Sequence, residues 1–287
     1  IFDCVLFFKQ KTAYEMLRIL VGSEMCIRDR YNVAIATPRM GYRQFRKSMW
    51  TAEPSALIVV TGRDTMRFLL TSAGIKNTSI HDALEDLLGK PIAESSALCI
   101  PTASYALPGG AALAWKFITG REPRTPMCEL GWTSLGVLEL TALPSIDEED
   151  WAPMVRETDV LLVNGGDPLY LCYWMRQSGL ADLLPSLRET VYVGLSAGSM
   201  VMAPSIGEDF VGWTPPTGGQ ETLGMVGFSI FPHLDHEELP SNSMAGAERW
   251  AAGMRVPAYA IDDETALKVV DGRVEVVSEG HWRQFTR

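Results

Sequence analysis

The sequence predicts an α/β fold: a mostly parallel sheet flanked by helices on both faces, with a short antiparallel portion at the C-terminus. Three observations predict it. Near-continuous apolar runs such as "DVLLV" and "TVYVGL" are what strands buried on both faces require. These runs alternate with segments of helical spacing. The tail breaks that rhythm with shorter runs and an Asp271-Gly272 step suited to a hairpin turn.

Taken in order, "RFLLTSAG" reads as a strand ending in a small-residue loop. "SIHDALEDLLGK" has apolar residues at helical spacing and a stop at Gly89. "SALCIPTAS" is a strand, and "GGAALAWKFITG" a helix closed by Gly120. "LGVLELTAL" is a strand, followed by "SIDEEDWAPMVRET", a helix whose acidic start suits the macrodipole. "TDVLLVNGGDP" is a buried strand running into a glycine turn, and "DPLYLCYWMRQSGLADLLPSLR" holds one or two amphipathic helices. "TVYVGLSAGS" is the next buried strand, with a helix starting in "SAGSMVMA". No internal repeat or low-complexity segment interrupts residues 66–287, which read as a single α/β domain.

The first 65 residues differ. They carry 10 Lys+Arg and 6 Asp+Glu, against 15 and 29 in residues 66–287. Residues 1–30 have no clean periodicity, lack the order of a signal peptide, and resemble translated sequencing-adapter read-through. We read residues 1–65 as a non-native or disordered leader and Met66 as the native start; the competing reading is a genuine basic arm.

Composition narrows the function. With 47% hydrophobic and 21% charged residues, this is an ordinary globular chain. A net charge of -10 argues against nucleic acid as a partner. No apolar run reaches 18 residues, so no membrane partner is expected. Five cysteines without C-x-x-C spacing fit neither a disulfide framework nor a structural zinc site, and a reducing cytoplasm is the expected location. The oligomeric state is not legible.

The chemistry gathers at "VYVGLSAGSMVMAP". Ser196 falls between a strand and a helix, at the carboxyl end where parallel sheets collect ligands. Gly194 and Gly198 flank it in the spacing that a nucleophile on a sharp turn requires. The alternative is a serine that caps a helix. Ala197 opens that helix, so its N–H is a candidate oxyanion donor. Gly165-Gly166 end the preceding buried strand, where glycine amides can approach a ligand closely, so both are candidate oxyanion or substrate-binding residues, with the Gly166 N–H as the candidate second donor; a tight turn before a helix capped by Asp167 explains the same residues. A serine nucleophile needs a base. Of four histidines, His81 starts a helix and His281 lies in the terminal hairpin. His233 follows a strand and a proline, with His236 as backup. Glu208, Asp209 and Glu221 lie between Ser196 and His233, and Glu208-Asp209 is either the orienting carboxylate or a solvated acidic turn.

With Gly165-Gly166-Asp167, Gly194 to Ser199 and Pro232-His233 in this order, residues 66–287 resemble the peptidase E-type serine peptidases, the family of aspartyl dipeptidases and cyanophycinases. The resemblance implies a fold similar to the class I glutamine amidotransferase domain. It implies Ser196 as nucleophile, His233 as base, Asp209 or Glu208 as acid with a lean to Asp209, and Gly166 and Ala197 as oxyanion donors. It implies hydrolysis of short peptides through an acyl-enzyme, with no metal or organic cofactor. The Glu-Thr-Arg segment by which aspartyl dipeptidases read their substrate is replaced by "NSMAGAERW", with Arg249 nearby, and the cyanophycinase pattern is not evident. The acids of "DDETALKVVDG" are either a substrate-amine site or a surface turn.

Two rival functions remain at this stage. An α/β-hydrolase esterase shares the serine motif, but only 91 residues follow Ser196 and the base comes after 37. A non-catalytic amidotransferase-like module for small ligands would keep the glycine turns without bringing Ser196 and a histidine together.

Overall fold

A computed structural model describes residues 66–286 except residues 123 and 217. The leader assigned to residues 1–65 lies outside the described residues. Ten strands are described: β1 (Arg67–Thr71), β2 (Ser96–Ile100), β3 (Ser134–Val137), β4 (Val160–Val163), β5 (Val191–Leu195), β6 (Ser229–Phe231), β7 (Ala258–Ile261), β8 (Thr265–Val270), β9 (Arg273–Ser278) and β10 (Trp282–Phe285). The main helices are α1 (Thr78–Leu88), α2 (Gly110–Ile118), α3 (Glu148–Glu157), α4 (Pro168–Gln177), α5 (Leu180–Leu183), α6 (Ala197–Met200) and α7 (Met244–Gly253).

The larger sheet has the order β3-β2-β4-β5-β1-β8-β9. Its first five strands run parallel, and β8 and β9 are antiparallel additions. A smaller sheet, β10-β7-β6, pairs β6 and β7 in parallel. Side chains of a strand alternate between its faces, so a strand covered on both sides must be apolar throughout. In β4, Leu161 and Val163 enter one core with Trp151, Val155 and Leu171 from α3 and α4. Val160 and Leu162 enter the other with Ile80 and Leu84 from α1 and Phe117 from α2. The two helical layers thus account for the unbroken apolar runs. Among the described residues, no helix is long and apolar enough to cross a membrane.

Local chemistry sets the boundaries. Asn77 Oδ1 accepts the Ile80 N–H to start α1, and Gly89, in the left-handed region, ends it. Asp271 and Gly272 both have positive φ, the turn that joins β8 to β9. The expected amphipathic stretch after Asp167 is two helices, α4 and α5, separated at Gly179. The helix expected after Ser196 is one turn long.

Candidate active site

Ser196 sits at the joint between β5 and α6 with φ 50 and ψ −109, a conformation that costs a non-glycine residue about 1–3 kcal/mol. Its surroundings impose it. A Cβ on Gly198 would overlap the Val163 carbonyl at the end of β4, and one on Gly194 would lie 2.6 Å from the Gly198 carbonyl oxygen. The elbow therefore closes only with glycine on both sides. Hydrogen bonds lock it: Ser196 donates its N–H to the Thr71 carbonyl at 3.0 Å, and Tyr192 donates its hydroxyl to the Gly198 carbonyl at 2.7 Å. The Ser196 side chain does not cap α6. It points to His233 instead, with Oγ 2.9 Å from Nε2.

The histidine facing Ser196 and its carboxylate partner are delivered by the smaller sheet. Because β6 and β7 are parallel neighbours, the residues following them emerge at the same end. Beyond β6 comes His233, with φ 56; beyond β7 comes the Asp262-Asp263 pair. The two aspartates divide the work. Asp262 builds the turn into β8, accepting from the Thr265 hydroxyl at 2.6 Å and the Glu264 N–H at 3.1 Å. Asp263 accepts from His233 Nδ1 at 2.7 Å. Burial of Asp263 would raise its pKa, but hydrogen bonding and charge attraction from His233, the Ser72 hydroxyl and the Lys76 charge outweigh it and hold the carboxyl below the usual range. The bond to Asp263 leaves Nδ1 as donor and Nε2 as the acceptor facing Ser196.

The glycine turn after β4 stands beside the serine. A Cβ on Gly165 would lie 3.4 Å from the Ser196 Cβ. Gly166, at φ 143, packs so closely on Ala103 that a Cβ would overlap its carbonyl. Among the described residues, neither the Gly166 nor the Ala197 N–H donates to a protein acceptor. The Gly165 N–H does, to Asn164 Oδ1 at 2.8 Å, which removes it as an oxyanion donor. Asp167 also caps α4, accepting from the Leu169 and Tyr170 N–H groups, so turn and donor readings hold together.

Two expectations need correction. Glu208 and Asp209 do not stand beside His233. They form a short turn, Glu208–Phe210, and line a separate cavity of about 810 Å³ with Arg249 and Trp250. The reason is the course of the chain: the Ser205 carbonyl accepts from Ser229 at the start of β6, whereas His233 follows its end. His236 is not an alternative base. Its Nδ1 accepts the Glu238 N–H at 3.1 Å, and its Nε2 lies 3.6 Å from Asp263 Oδ2, behind the acid. Chain order does not mark Asp263, which follows His233 instead of lying between Ser196 and His233. Its signal was a pair of aspartates between two apolar strand runs.

The pattern of peptidase family S51 matches residues 68–277. No curated protein matches the sequence. A peptidase from an acI-B1 actinobacterium has a similar structure, with TM-score 0.56 and 18% identity, over 77% of this chain and 94% of that one. A protein from Listeria monocytogenes EGD-e assigned as peptidase E is similar with TM-score 0.52 and 18% identity, over 75% of this chain and all of that one. At such identity these two neighbours speak for the fold alone, while the sequence pattern spans most of the chain, Ser196, His233 and Asp263 included: the chain belongs to peptidase family S51, a family of serine peptidases.

Proposed function

We infer that the protein hydrolyses short peptides through an acyl-enzyme, with Ser196, His233 and Asp263 as its triad. The observation that carries this reading is the unbroken line from Ser196 Oγ to His233 Nε2, 2.9 Å, and from His233 Nδ1 to Asp263 Oδ1, 2.7 Å. His233 takes the Oγ proton as the oxygen attacks the scissile carbonyl carbon. Asp263 holds the imidazole orientation and stabilises the imidazolium. The oxyanion receives the Gly166 and Ala197 N–H groups, which among the described residues have no protein acceptor to give up. His233 then protonates the leaving amine. Water, deprotonated by the same nitrogen, releases the acyl group from Ser196.

Hydrolysis by the full chain of dipeptides with Asp, Glu, Asn, Arg or neutral N-terminal residues tests the reading, alongside Ser196→Ala. At least one dipeptide should be cleaved, and the substitution should abolish that cleavage. Cleavage that persists in Ser196→Ala, or no cleavage of any member by folded protein, would sink it.

A further inference from the structure

We propose that Ser72 is a positioning residue of the triad, holding base and acid in register through one hydroxyl. Ser72 directly follows β1 and is fully buried. Its Oγ lies 2.7 Å from the His233 backbone nitrogen, 2.9 Å from Asp263 Oδ1 and 3.4 Å from His233 Nδ1. The hydroxyl has one proton to give. The His233 N–H is a donor, so Oγ accepts from it; the carboxylate is an acceptor, so the proton goes to Asp263. Ser72 thereby touches both partners of the base–acid pair without touching the reacting oxygen.

That bridge answers a mechanical need. His233 and Asp263 ride on turns beyond two short strands, and His233 occupies a backbone region uncommon for a non-glycine residue. Tying its N–H fixes that backbone. Tying Asp263 Oδ1 fixes the carboxylate plane that faces Nδ1. On the other carboxylate oxygen His236 stands at 3.6 Å, beyond hydrogen-bond length, so Ser72 is the tighter of the two restraints. The next residue back completes the joint, since the Thr71 carbonyl holds the nucleophile's N–H. One dipeptide at the end of β1, Thr71-Ser72, thus ties down all three triad segments.

The inference rests on Ser196 being an activated nucleophile, and its test needs no natural substrate. A fluorophosphonate ester phosphonylates serine only where a base takes the proton: the Oγ–P bond forms, the P–F bond breaks, fluoride leaves and His233 receives the proton. The labelling rate of Ser196 would be measured on full-length wild type, Ser72→Ala, Ser72→Cys and Ser72→Thr, each normalised to folded protein by circular dichroism. Ser72→Ala should label about 10–100-fold more slowly, the loss expected when a catalytic group is slightly misplaced. Ser72→Cys, similar in volume but a weak donor, should lose rate likewise and serves if the alanine variant does not fold. Ser72→Thr, which keeps the hydroxyl, should recover most of the rate. Wild-type labelling rates in folded Ser72→Ala or Ser72→Cys, with only thermal stability changed, would overturn the proposal and leave the triad standing. A wild type that does not label at all would overturn the nucleophile reading, and Ser72 with it.

Discussion

Ser196 and Asp263 were unequally legible at the scale of single residues. Ser196 stands out because its conformation demands glycine two positions away on either side, and that demand is written in the sequence beside it. Asp263 carries no such local mark: any aspartate near a turn looks alike until the strands that carry it are paired. Ser72 was hidden for the same reason, being one serine in a small-residue loop. The distinction is testable. Asp263→Asn should lower kcat on the fastest-cleaved dipeptide by a factor on the order of 10⁴, the loss seen when a triad acid no longer fixes the tautomer. Asp209→Asn, in the separate cavity, should leave kcat within about twofold, as for substitutions away from such features. The reverse pattern would return the acid to the segment after the elbow.

Strands and helices of this chain were readable wherever burial on both faces or a clear cap dictated them. The glycine stop of α1 and the Asp271-Gly272 hairpin are chemical requirements visible in sequence. The extent of α6 was not, because what stops it after one turn is packing of the following loop, with the Leu223 N–H donating to Val201 and the Val226 N–H to Met202. Two substitutions probe elements directly. Asn77→Ala removes the cap of α1 and should cost about 1 kcal/mol, a fall of about 2–4 °C in Tm for a domain of this size. Gly198→Ala forces a methyl into the Val163 carbonyl and should cost at least about 1–3 kcal/mol. Urea unfolding would measure both, and a neutral Gly198→Ala would show that β4 and the elbow do not press on one another.

Over the whole molecule, Asp263 links stability to pH. The folded pKa of Asp263 is lowered, so its contribution is complete above the ordinary aspartate value near pH 4 and is lost as pH falls through the lowered value. Unfolding free energy should therefore decline below about pH 4, and Asp263→Asn should flatten that decline; equal slopes for both proteins would show that the acid is not held by its partners. The sheet order carries a consequence for synthesis. β1 lies between β5 and β8, so the first strand described waits for partners that begin at Val191 and Thr265. At about 5–20 residues per second, the ribosome takes on the order of 10–40 s to pass from β1 to β8. Until β5 is made "RFLLT" is an apolar ribbon without either neighbour, and a nascent chain halted before Thr265 would keep one edge of β1 open where the finished protein pairs it with β8.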